Sequence, residues 1–181
     1  GLTAALRRHG IYLALAIDWS RKYLPGDVDI LKTDEADRDA WMAAMTELNG
    51  WNWQKQIDVI KMLPVIDERA ALVEEEFATR LLPPVTPSTG LAYGNDPQVL
   101  TIETLNEAST EYALICQNQF PEYWQKKLLA KWADFARQND VEPGDLYAPR
   151  SVAQKRVRAA FFQKLDEDYF LRMQKVVRGT G

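Results

Sequence analysis

The sequence predicts an all-α fold, a single irregular bundle of roughly six to eight helices with one long Pro-rich loop. Three observations predict it. Apolar residues recur at spacings of three and four through most of the chain, the alternation expected of strands is nearly absent, and Pro or Gly separates most of the periodic segments.

The elements follow in order. After a short segment over 2–8, residues 11–24 are apolar nearly all round, as a central buried helix is, and Pro25-Gly26-Asp27 ends them. Asp34 is placed to cap a helix through Leu48 that carries Trp41, Ala44, Met45 and Leu48 on one stripe. Asn49-Gly50 closes it as a left-handed cap. Trp53, Ile57, Ile60 and Leu63 mark the next helix, which Pro64 breaks or kinks. Ile66, Ala70, Val73, Phe77 and Leu81 then form an amphipathic helix, with Glu74-Glu75-Glu76 mostly on its solvated side.

Residues 83–100 differ in character. Four of the nine prolines lie there among Ser, Thr and Gly, so this stretch reads as a linker, a lid or a binding loop, with one short strand over 98–102. Helical spacing returns with Leu105, Ala108, Tyr112 and Ile115. Pro121 opens a further helix that turns Trp124, Leu128, Trp132 and Phe135 inward. Glu142-Pro143-Gly144-Asp145 is a turn, and Ser151 with Gln154 forms a capping box. That box starts a long basic helix over 151–178, with Phe162, Leu165, Tyr169, Met173 and Val176 on one face.

A chain of 181 residues is long enough to bury one full core, so residues 1–181 are read as a single helical domain. It begins with Gly rather than Met, which reads as a trimmed chain or a fragment of a longer protein. The lone Cys excludes an intrachain disulfide and fits a cytoplasmic location. With one His and one Cys, a metal site could draw only on carboxylates; no metal and no cofactor are assigned. The longest apolar run, 11–17, is far short of the roughly 20 residues that span a bilayer. Charge is uneven. Residues 1–120 carry 10 Lys and Arg against 18 Asp and Glu, whereas residues 151–181 carry seven against three. A basic last helix beside an acidic body can dock on that body or on an acidic partner.

Catalytic signatures are missing. There is no P-loop, no Gly-x-Gly-x-x-Gly and no Gly-x-Ser-x-Gly, and Cys116 sits in an amphipathic stretch as a buried structural thiol would. The acidic stretch from Asp27 to Asp39 fails as an EF-hand, with Lys32 where Gly is needed and Arg38 where the bidentate Glu belongs. It reads instead as a helix N-terminus enriched in acids. Glu103, Glu107 and Glu111, four apart on one helical face, are the best raw material for paired-carboxylate chemistry.

The leading expectation is therefore a non-enzymatic protein-interaction, adaptor or regulatory domain. Its expected partner contacts are Trp51, which falls about 160° from Trp53 on an ideal helix, and Tyr169, Met173 and Val176 at the end of the last helix. The alternatives are a carboxylate hydrolase, with or without a divalent cation, in a helical cleft beside 83–100, and nucleic-acid binding through the basic last helix. The acids Asp166, Glu167 and Asp168 interrupt that helix and weigh against phosphate.

Overall fold

The computed structural model describes residues 1–17, 21–30, 35–107, 110–117 and 120–180. Among them lie seven α-helices: α1 (Leu2–Arg8), α2 (Glu35–Asn49), α3 (Trp53–Ile66), α4 (Glu68–Leu81), α5 (Thr110–Tyr112), α6 (Glu122–Gln138) and α7 (Val152–Arg178). Two strands, β1 (Leu13–Ala16) and β2 (Val99–Glu103), pair in parallel. The fold is mostly helical but not strictly all-α.

The central element is α3. From 56 to 66 every residue but Asp58 is buried, and both α4 and α7 pack on it. The segment expected at the centre, 11–24, instead supplies β1. A short apolar run has no period of its own to choose between buried helix and strand. Here Gly10, at φ +68°, ends the preceding turn, and β2 offers a hydrogen-bonding edge. Leu13 and Leu15 pair with Val99 and Ile102, with an irregularity between Leu13 and Ala14. The strand expected near 98–102 is thus present, and α2 to α4 form the long crossover that a parallel pair requires.

The stripe Trp41, Ala44, Met45 and Leu48 of α2 is buried as expected. Its Asp34 cap lies outside the described residues. Gly50 does not take the expected left-handed cap: its N–H and that of Trp51 close the helix in a tight turn onto the carbonyls of Glu47 (3.0 Å) and Leu48 (3.1 Å). Asn52 then caps α3 by accepting from the Lys55 N–H at 3.1 Å. The first turn of α3 projects beyond the core, so Trp53 is 53% exposed and the buried stripe begins at Ile57. Pro64 does not end the helix: α3 runs two residues past it, and the ring removes only its own N–H from the helical hydrogen bonds.

Asp67 caps α4. The buried side of α4 is Ala70, Ala71, Val73, Glu74 and Ala78, while Phe77 is partly exposed. The acidic triplet is therefore not a solvated face. Glu74 is buried against the Tyr169 hydroxyl at 2.7 Å, and Glu75 is ion-paired with Arg172. Both contacts lie on α7, so part of the basic helix does dock on the acidic body.

The 83–100 segment is packed in its second half. Ala92, Asp96 and Gln98 are buried, Asp96 is ion-paired with Arg7 at 2.5 Å, and the Gln98 amide donates to the Ile11 carbonyl at 2.8 Å. A helix through Leu105, Ala108, Tyr112 and Ile115 does not form. Glu107 has φ +53°, residues 108–109 lie outside the described residues, and Thr110–Tyr112 is helical with Tyr112 exposed, followed by a π-turn over Ala113–Gln117 that buries Leu114. The environment of the Cys116 side chain also lies outside the described residues.

Helix α6 buries Trp124, Leu128, Trp132 and Ala136. Tyr23, Trp41, Trp124 and Tyr123 form an edge-to-face chain with ring centres 5.8, 6.4 and 5.6 Å apart. At the turn into α7, the Trp132 indole donates to the Gly144 carbonyl at 2.8 Å. A Cβ on Gly144 would lie 2.4 Å from the Gln154 amide nitrogen, so a larger residue there would have to displace the side chain that completes the capping box. Among the described residues, no helix is long and apolar enough to cross a membrane.

Candidate functional site

Ser151 and Gln154 form the reciprocal capping box that starts α7, at 3.0 and 3.2 Å. One face of the helix then buries Phe161, Phe162, Leu165, Tyr169 and Met173. The Tyr169 hydroxyl lies 2.7 Å from the Glu74 carboxylate and 3.2 Å from the Thr104 carbonyl. Met173 is 0% exposed. The chain itself thus supplies the cover for Tyr169 and Met173, whose expected cover was a partner. Val176 is half-buried at the rim of the same core. Trp51 is half-buried at the α2–α3 corner, with the Lys55 ammonium 3.6 Å from its ring centre.

The free apolar surface of α7 lies on its adjacent face. Phe170 follows Tyr169 by one residue, roughly 100° round the helix, and is 44% exposed; Leu171 is 64% exposed. Both line a groove of about 540 Å³ whose floor is α7 and whose far wall includes Glu111 of α5. Phe162, Asp166 and Glu167 complete its middle. Glu111 is ion-paired with Arg158 at 3.1 Å, Glu167 accepts from the Gln163 amide at 2.7 Å, and Asp166 accepts from the Thr110 hydroxyl. Partial burial pushes the Asp166 carboxyl above its ordinary value, and the Thr110 hydrogen bond opposes that shift.

The expected row of Glu103, Glu107 and Glu111 is dispersed. Glu103 lies in β2, Glu107 sits at a backbone corner 3.7 Å from Lys61, and only Glu111 reaches the groove. The carboxylates that do converge, Asp166 and Glu167 with Glu111, come from the acidic interruption of the basic helix, and 83–100 does not line the groove. Helical spacing did carry part of this signal: each of residues 159, 162, 163, 166, 167, 170 and 171 has another lining residue three or four positions further on, up to 174.

A second polar cluster joins α2, α4 and α6. The Tyr123 hydroxyl donates to Asp37 at 3.0 Å and accepts from Arg69, which is itself paired with Asp37. Asp67, 3% exposed, accepts from the Trp124 indole at 2.6 Å and from the Arg69 N–H at 2.8 Å. Burial, reinforced by the Asp67 charge, pushes the Tyr123 phenol up to about 12. Burial also lowers Lys127 and Lys131 against the pull of Asp67, and the Lys131 ammonium donates to the Ile66 carbonyl at 2.8 Å. Perturbed groups of this kind mark catalytic sites when an atom is left over for substrate. Here both Asp67 oxygens and the Tyr123 hydroxyl are engaged within the protein, so the cluster acts as a clamp between helices.

Elsewhere the acidic stretch is absorbed locally, with Asp27 paired to Arg21 and Asp29 3.4 Å from Arg38; Asp34 lies outside the described residues. Among the described residues, no group of three or more His, Cys, Asp and Glu side chains is arranged to hold a metal ion. Comparison with protein families, with curated proteins and with solved structures finds no match to this chain.

Proposed function

We propose that this chain is a non-enzymatic protein-interaction domain of the adaptor or regulatory kind, and that it receives a protein partner in the groove along α7. One observation carries the reading: Phe170 and Leu171 stand exposed side by side over a groove of about 540 Å³, on a helix whose remaining outward positions are mostly charged or amide-bearing. Apolar side chains clustered beside a concavity and rimmed by polar groups are the usual composition of a docking site. Panning a display library of helical peptides against the chain tests this. Enriched peptides should lose binding to Phe170→Asp and Leu171→Asp and keep it to Val152→Asp, a change at another exposed apolar residue of the same helix. Equal binding to all three variants removes the reading.

The carboxylate-hydrolase alternative draws support from one observation: Asp166, raised by burial, lines the same groove as Glu111, which is ion-paired with Arg158. A panel of chromogenic glycoside and ester substrates, with Asp166→Asn as control, tests it. Turnover abolished by that change supports catalysis, and turnover unaffected by it does not.

A further inference from the structure

We infer that the groove's occupant is a basic amphipathic helix of about four turns, lying alongside α7. The inference rests on the interaction reading above and names the partner's chemistry. Two features of the groove lead to it.

The first is shape. The α7 residues that line the groove fall on one helical face from Ala159 to Gln174, each with a partner three or four positions away, giving a stripe about 22 Å long at 1.5 Å per residue. That length and period match another helix better than a compact ligand, and laying an apolar helical face into such a groove is a common recognition mode. The stripe is graded: small at Ala159, acidic at Asp166 and Glu167, large and apolar at Phe170 and Leu171. A matching helix places a bulky apolar side chain over Ala159, a Lys or Arg at the middle, and a second apolar contact beside Leu171.

The second feature is charge. Three carboxylates line the groove, and none of the described residues that line it is Lys or Arg. Glu111 is compensated by Arg158, but Asp166 and Glu167 receive the neutral donors Thr110 and Gln163. A cation arriving there meets uncompensated charge, whereas an acidic partner is repelled, so the groove selects by sign as well as by shape.

The experiment uses the full chain and three fluorescent amphipathic peptides of about 15 residues that share one leucine stripe and differ only in carrying Lys, Gln or Glu beside it. The Lys peptide should bind at least about tenfold more tightly than the Glu peptide, weaken as salt is raised, and lose about tenfold on Asp166→Asn/Glu167→Gln. Its binding should vanish on Leu171→Asp, with circular dichroism confirming that both variants fold. Equal binding of the Lys and Gln peptides overturns the basic partner while leaving the groove in place. Binding of every peptide that is indifferent to Leu171→Asp overturns the groove reading itself. Sedimentation showing that the unliganded chain self-associates, and that Leu171→Asp abolishes this, assigns the groove to a second copy and also overturns the inference.

Discussion

The clamp at α2, α4 and α6 and the groove along α7 both gather carboxylates and cations, yet they are built to opposite ends. Asp67 is nearly inaccessible and takes hydrogen bonds from an indole and a backbone amide, with the Lys127 ammonium 3.9 Å away. Asp166 takes one hydroxyl and opens on a groove. In the clamp a buried charge is tolerated because donors from two helices converge on it, which also fixes where those helices sit. In the groove, charge is held beside the exposed Phe170 ring and Leu171, with room for something further to arrive. A carboxylate whose acceptors are filled from within is a fastening; one left facing open space beside an apolar surface is available to a partner.

The strongest way to break this comparison is through the inner face of α7, which both regions depend on. Leu165→Asp and Met173→Asp each place a charge in the chain's own core and should each cost more than about 4 kcal/mol, enough to unfold it. Thermal melts check this. A Met173→Asp variant that folds normally and loses only an association would show that a partner, not the chain, covers the end of the helix.

Asp67→Ala comes next. It removes the acceptor of the Trp124 indole and of the Arg69 N–H and should cost about 2–4 kcal/mol. Urea unfolding should show a lower midpoint at unchanged slope. A cost under about 0.5 kcal/mol would mean that the clamp is ornamental and that the contrast with the groove is false.

Phe170→Asp should cost no more than about 1 kcal/mol, since the ring is exposed and meets Tyr169 edge-on at 5.2 Å. A loss comparable with that of Asp67→Ala would place Phe170 in the core and close the groove as a docking surface.

The smallest effect is a pH dependence. Burial raises Asp166, so the folded chain holds that proton more tightly than the unfolded chain, whose value is near 3.8. Stability is therefore lost as pH climbs from about that value through the folded one and stays lost above it. Asp166→Asn keeps an acceptor for Thr110 beside Glu111 and Glu167 and removes this loss. Its melting temperature should equal that of the parent near pH 3 and exceed it near pH 7; the reverse order would mean that the carboxylate is stabilised where it sits.

Much of this architecture was legible in the residues. Trp41, Met45 and Leu48, then Trp124, Leu128 and Trp132, repeat at helical spacing and are buried, and the Ser151–Gln154 box opens α7 where its letters stand. These are local properties: a 3.6-residue period and a cap depend on side chains within one or two turns of each other. The misreadings share a different origin. Leu13–Ala16 forms a strand only because β2, more than 80 positions later, offers an edge in register. Glu74 and Glu75 are engaged rather than solvated only because Tyr169 and Arg172 come to meet them.

The groove shows the same division within a single helix. Sequence alone determined that α7 is long and basic, carries an acidic interruption, and has apolar residues on more than one side. Which side the chain would cover was a matter of tertiary structure, because α3, α4 and α6 provide one concave seat and it accepts one stripe. Tyr169 and Met173 fill that seat, and Phe170 and Leu171, a short arc away on the same helix, are left facing outward. Burial is a property of pairs of surfaces, and no single helix encodes which of its apolar faces will find the other half.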